Sequence, residues 1–166
     1  MKIINYTLLE YNILQYKIYC DLDNTLTDFN KAYTDLGYNI HVKGDYTPEF
    51  YKNLSRAGEK FWSLMPWIKD GKELWNFIKK YNPTILSAPT HDPTSKSGKI
   101  KWIKRELGSN IEYILEWDKY KYAKPNHILI DDSESKITPW KEHGGIGILH
   151  TSARDTIEQL LELKKE

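Results

Sequence analysis

Cysteine is nearly absent: Cys20 is the one such residue in 166, and it lies inside an apolar run. That excludes a disulfide framework and points to a reducing compartment, the cytosol. The thiol itself reads as a small buried hydrophobe. Charge of one sign is also missing. The 24 basic residues nearly balance the 23 acidic ones, for a net charge of +1, so no global field recruits long nucleic acid or a membrane surface. An anionic substrate has to be held locally. Long hydrophobic runs are missing too. In residues 1–16, Ile3, Ile4, Leu8, Leu9, Ile13 and Leu14 are interrupted by Asn5, Glu10, Asn12 and Gln15, a pattern of neither a signal peptide nor a membrane span. It reads as an amino-terminal extension, a strand or hairpin packed on the domain. Aromatic residues, by contrast, are abundant, with 12 tyrosines and 6 tryptophans. Many fall between Phe29 and Trp75, where they can fill a core or line a pocket for flat rings.

The length and a hydrophobic content of 40% support a single domain with room for a small insertion. Its centre is the stretch from Lys17 to Phe29. Ile18, Tyr19 and Cys20 form a short apolar run closed at once by polar residues, the pattern of a buried parallel strand. Asp21 and Asp23 follow at its carboxyl end, where open α/β sheets bind ligands. Asp23 and Asn24 could simply form a turn, with Thr25 or Thr27 capping the next helix. Two acids at i, i+2 directly after an apolar strand do more: they can offer a carboxylate and a backbone carbonyl to one hard cation such as Mg²⁺.

Helical spacing of Phe29, Ala32, Tyr33 and Leu36 predicts a helix over 27–36 that stops at Gly37. Thr47-Pro48-Glu49 reads as a helix start, and Gly58 to Met65 as a second short helix ended by Pro66. With no strand alternation there, residues 38–67 read as a small helical cap inserted into a core of 17–150. Further helices are predicted over 72–81, over 95–107 with Ile100, Trp102, Ile103 and Leu107 as its buried stripe, and over 153–164. The last begins the carboxy-terminal segment 151–166, packed on the core. Strands are predicted at 83–87, 111–115, 127–130 and 144–149. This alternation predicts an α/β fold, a three-layer sandwich with a central parallel sheet of Rossmann type.

Three strand ends then carry functional groups: Asp21 and Asp23, Ser87, and Asp131 with Asp132. In a parallel sheet these ends lie on one edge, so residues distant in sequence converge. Lys119, Lys121 and Lys124 precede the last pair. A carboxylate nucleophile, a second carboxylate for proton transfer, a hydroxyl and a lysine for phosphate oxygens, and acids to hold Mg²⁺ make up the requirements of phosphoryl transfer.

In this order the residues resemble the haloacid dehalogenase (HAD) superfamily over roughly residues 17–150. Asp21-x-Asp23-x-Thr25 is similar to its first motif, Ser87 to its second, a lysine to its third and Asp131-Asp132 to its fourth. Within it the chain looks most like the 5'(3')-deoxyribonucleotidases, through Asp28-Phe29, Phe61-Trp62, Ser87-Ala88-Pro89, Gly98-Lys99-x-Lys101-Trp102 and Leu129-Ile130-Asp131-Asp132. Ala88 stands where that family has a second hydroxyl, and Thr90 follows two residues on. The resemblance implies an Mg²⁺-dependent phosphatase working through an aspartyl-phosphate, with a nucleoside monophosphate as its small-molecule partner. Asp21 is then the nucleophile and Asp23 the acid and base. Ser87, Lys121 and Thr25 bind phosphate, with Lys119 or Lys124 able to replace Lys121 by an offset. Asp21, Asp23, Asp131 and Asp132 hold the metal, and Phe29, Phe61 and Trp62 form the substrate pocket. Two other readings stand beside this one. The first is a phosphatase for nucleic-acid ends or another small ester, using Lys96, Lys99, Lys101, Lys104 and Arg105 as a patch, although on a helix such residues make a solvated face. The second is a non-catalytic interaction module on a phosphatase fold.

Overall fold

The structure, a computed structural model, describes residues 7–40 and 46–163. Five short parallel strands, β1 (Lys17–Cys20), β2 (Thr84–Ser87), β3 (Tyr113–Leu115), β4 (His127–Asp131) and β5 (Ile146–Leu149), form one sheet in the order β3-β2-β1-β4-β5. The apolar run at Ile18–Cys20 is therefore the central strand, covered on both faces. Ile18 and Cys20 point into one core with Ile85 and Ile130, and Tyr19 points into the other with Leu86 and Leu129. The chain steps outward from β1 to β2 and β3, then returns to the far side of β1 as β4. Strand order thus reverses between β1 and β4, and the loops leaving them part to open a crevice. Register aims acids into it. Cys20 pairs with Ile130, and the Asp21 amide donates to the Ile130 carbonyl at 2.9 Å, so Asp21 and Asp131 stand side by side.

Helices cover both faces, which makes the three layers expected. Helices α1 (Leu8–Ile13), α4 (Gly71–Ile78), α5 (Pro93–Glu106) and α7 (Ala153–Leu161) contribute Ile13, Leu74, Ile78, Trp102, Ile103 and Leu160 to the larger core. On the other face α6 (Glu134–Glu142) lays Ile137 and Trp140 against Tyr19 and Leu129. Helix α2 (Phe29–Asp35) leaves the crevice, and α3 (Pro48–Ser63) follows it. The expected pair of helices in the insertion is one run broken by Gly58, whose φ of 69° and ψ of −163° suit glycine alone. Residues 41–45, 1–6 and 164–166, which fall within the expected cap, amino-terminal extension and last helix, lie outside the described residues.

Two local expectations are corrected. The described part of the amino-terminal extension is a helix, not a strand or hairpin, because Thr7 and Glu10 form a reciprocal capping box. Helix α6 was not expected at all: Pro139 lies inside it, and only Ile137 and Trp140 mark its buried side. Among the described residues no helix is long and apolar enough to cross a membrane.

Candidate active site

Asp21 follows β1, and Asp131 ends β4 beside it. Both are buried, at 6% and 1% exposure, and between them lies a lysine from a 3-10 turn, Lys119–Tyr122. That lysine is Lys119, not Lys121. Its Nζ donates to Asp21 Oδ1 at 2.8 Å and to Asp131 Oδ2 at 2.6 Å, and it is itself 2% exposed. The expected Lys121 points outward to Glu116 and Asp118, and Lys124 is also exposed. In a turn of three residues per revolution, side chains two positions apart point about 120° from one another, which separates a buried lysine from a solvated one.

One cation here serves two carboxylates. Burial alone would lower the Lys119 ammonium, but Asp131 and Asp21 outweigh it and hold it above the usual lysine range. Asp131 is pushed up to about 7, by burial and then by Asp21, against the pull of Lys119. With both acids ionised the pair carries one negative charge more than Lys119 balances, and the upward shift of Asp131 is the response to that surplus. Carboxylate oxygens of Asp21, Asp131 and Asp132 lie within 4.8 Å of one another. Clustered oxygen donors with surplus negative charge fit a hard divalent ion such as Mg²⁺. Asp23, expected to serve the metal through its backbone carbonyl, adds no carboxylate to this group.

Asp23 has another partner. Its Oδ2 accepts from Lys99 Nζ at 2.5 Å, and the same ammonium donates to Ser87 Oγ at 3.0 Å. Lys99 is 1% exposed and lies 4.7 Å from the centre of the Trp62 ring. Its setting follows from a close helix crossing. A Cβ at Gly98 would strike Trp62 Cβ and come within 2.7 Å of the Glu59 carbonyl, so α5 meets α3 closely only because residue 98 has no side chain. The crossing is strapped by Trp102 Nε1 to the Met65 carbonyl at 2.8 Å and by Arg105 to the Ser63 carbonyl at 2.6 Å. Lys99 was read in sequence as part of a solvated face. Lys96, Lys101, Lys104 and Arg105 are indeed exposed, but the buried stripe of α5 is Ser95, Gly98, Lys99, Trp102 and Ile103. That i, i+3, i+4, i+7, i+8 series was available in sequence, with Lys99 on it and the half-buried Ile100 off it.

The acids open onto a cavity of about 1000 Å³, lined on the sheet side by Asp21, Asp23, Lys119, Asp131, Asp132 and Lys136, and on the insertion side by Phe29, Tyr33, Tyr46, Phe50, Asn53 and Trp62. Phe29 and Trp62, expected in a substrate pocket, line this cavity. Phe61 does not: it packs edge-on behind them, 5.6 Å from Phe29 and 5.0 Å from Trp62. Thr25, expected on phosphate, is wholly buried with its hydroxyl unpartnered and does not line the cavity. The hydroxyl of Ser87 is also fully buried, against Lys99, whereas Thr90 faces the cavity. Helix α2 is capped by Asp28, whose Oδ1 accepts from the Lys31 amide at 2.9 Å, so neither Thr25 nor Thr27 is the cap. Lys136, which sequence reasoning did not single out, donates to the Trp117 carbonyl at 2.8 Å, and burial followed by the Lys119 charge lowers its ammonium.

No protein-family model and no curated protein sequence matches the chain. Solved structures do match its fold. A hydrolase from Streptococcus pneumoniae TIGR4 aligns with a TM-score of 0.57 at 14% identity, over 90% of this chain and 100% of that one. A haloacid dehalogenase-like family hydrolase from Xanthomonas campestris gives 0.59 at 14%, over 89% and 91%. The HAD hydrolase YfnB from Bacillus subtilis, solved bound to magnesium, gives 0.53 at 11%, over 89% and 99%. From the reversal of strand order at β1 and β4 to the acids aligned there, the architecture is that of a HAD-like α/β fold.

Proposed function

We propose that this protein is an Mg²⁺-dependent phosphatase that works through an aspartyl-phosphate on Asp21 and hydrolyses nucleoside monophosphates. The observation that carries the reading is the pair of lysine-bound acids at one sheet edge. Asp21 is held by Lys119 and Asp23 by Lys99, and both face a cavity with aromatic walls.

Asp21 attacks the phosphorus as the ester P–O bond breaks, and the departing oxygen takes its proton from Asp23. Asp23, now a carboxylate, removes a proton from the water that attacks the acyl phosphate. Inorganic phosphate leaves, and both acids return to their starting forms. Lys119 has three N–H groups, two of them on Asp21 and Asp131, and the third is available to a phosphoryl oxygen. It takes the role expected of Lys121. Asp21, Asp131 and Asp132 would hold Mg²⁺, which when bound supplies the positive charge that lets an anionic ester approach an anionic nucleophile. Phe29, Tyr33 and Trp62 offer flat faces for a base.

A substrate panel with Mg²⁺ tests the reading: nucleoside 5'- and 3'-monophosphates, ribose 5-phosphate and p-nitrophenyl phosphate, each repeated in EDTA. Release from nucleotides that stops in EDTA is expected. Absence of turnover on every ester would leave an interaction module, and release from small esters alone would remove the nucleotide.

Lys99 fixes the position of Asp23, so Lys99→Met should lower kcat on nucleotides by about 100-fold, the scale of a misplaced catalytic group. The loss should be smaller on p-nitrophenyl phosphate, whose leaving group needs little protonation. Equal losses on the two esters would deny Lys99 a part in proton transfer.

A further inference from the structure

Four buried side-chain polar atoms among the described residues have no hydrogen-bond partner: Thr25 Oγ1, Asn53 Oδ1, Trp62 Nε1 and Thr90 Oγ1. Thr25 lies away from the cavity. The other three residues line it. Asn53 is 6% and Trp62 is 3% exposed, so neither side chain is dissolved in bulk water that would satisfy it. A polar group buried without a partner is costly, and native proteins keep few of them except where a ligand or an ordered water completes the set.

Asn53 is set up rather than left loose. Its Nδ2 donates to the Tyr33 hydroxyl at 3.1 Å, which leaves Oδ1 to accept and the Tyr33 proton to donate. Trp62 Nε1 adds a second donor. The three residues come from α2 and α3, the same elements that supply the ring faces: Phe29 lies parallel to Tyr33 at 5.9 Å, and Trp62 stands 5.8 Å from Phe29. Charge on this wall narrows the ligand further. The lysines lining the cavity, Lys119 and Lys136, are on the sheet side, whereas the insertion side carries Asp28 and Glu49. A second phosphate or a carboxylate would meet no cation there. A quaternary ammonium would suit the rings and the acids, yet it has no N–H for Asn53. What fits is an uncharged flat ring with a donor and an acceptor adjacent on one edge.

Resting on the nucleotidase reading above, we propose that Asn53 is the specificity-determining residue of this site, reading the polar edge of the base together with Tyr33 and Trp62. Asn53 accepts from a base N–H, while Tyr33 and Trp62 donate to its carbonyl or ring nitrogen. Selection is therefore for a base with a polar edge over a ring of similar shape that has none.

The test compares a nucleoside 5'-monophosphate with 1-naphthyl phosphate, a flat ester without such an edge, in wild type and Asn53→Leu. The two leaving groups differ in reactivity equally for both proteins, so the change in the ratio of their kcat/KM values reports the edge alone. That ratio is expected to fall about tenfold in Asn53→Leu, the scale of one hydrogen bond, and to fall through KM on the nucleotide. Because Asn53→Leu strands the Tyr33 hydroxyl, the double variant Tyr33→Phe/Asn53→Leu is run beside it; it removes both partners together and should show the same fall with an unfolding midpoint no lower than wild type. An unchanged ratio in whichever variant folds overturns the assignment of Asn53 while the nucleotidase reading stands. If wild type turns over the naphthyl ester but not the nucleotide, the nucleotidase reading has failed and the assignment falls with it.

Discussion

Replacing Asp21 with asparagine is expected to reduce phosphate release to background, a loss of roughly 10⁴-fold or more, without loosening the fold. The amide keeps the shape of the carboxylate but is a far poorer nucleophile toward phosphorus, so no acyl phosphate forms. The effect on stability separates this variant from one that simply unfolds. Lys119 is shared by two buried carboxylates, and removing one charge leaves a one-to-one pair between Lys119 and Asp131. The burden on Asp131, pushed up partly by Asp21, is relieved in the same step. The unfolding midpoint of the metal-free variant should therefore equal or exceed that of wild type. Turnover in purified Asp21→Asn near the wild-type rate would remove the covalent route. A clear drop in midpoint would mean that the balance of charge in the cluster has been misjudged.

Much of this arrangement is legible without coordinates, and the parts that are not have specific causes. β1, β2 and β4 are apolar runs stopped abruptly by Asp21, Ser87 and Asp131, and a parallel sheet brings such stops to one edge whatever the strand order. What sequence leaves open is which side of a short turn or helix faces inward. Lys119 and Lys121 differ by two positions on a single 3-10 turn, and neither has a periodic neighbourhood that would orient it. Lys99 was legible in principle, since Gly98, Trp102 and Ile103 place it on the buried stripe. A lysine on such a stripe contradicts the usual rule that lysines are solvated, and the rule fails because Asp23, Ser87 and the Trp62 face together replace its water. Phe61 and Trp62 read as an equivalent pair in sequence. Adjacent helical residues point about 100° apart, so only Trp62 reaches the cavity. Pro139 hid α6 because proline inside a short helix removes one hydrogen bond, a loss that Ile137 and Trp140 offset by packing under the sheet.

The converse substitution, Lys119→Met, should damage this site in both activity and stability, whereas Asp21→Asn costs activity alone. It leaves Asp21 and Asp131 facing each other in the interior without their shared cation. Removing one partner from a buried ion pair costs about 3–5 kcal/mol, and the two carboxylates left behind also repel. Turnover should fall by about 10²–10³-fold, the scale of losing one preorganised charge beside a developing transition state. Added Mg²⁺ should raise the unfolding midpoint of Lys119→Met by more than it raises that of wild type, because the variant retains the acids and lacks the competing ammonium. Lys121→Met provides the contrast. Lys121 is exposed and, among the described residues, pairs with Asp118 and Glu116 at the surface, so its loss should leave both turnover and midpoint at wild-type values. If Lys121→Met were instead the inactive variant, Lys119 beside Asp21 would be serving the fold alone, and the phosphate would have to be bound from the outer side of the turn.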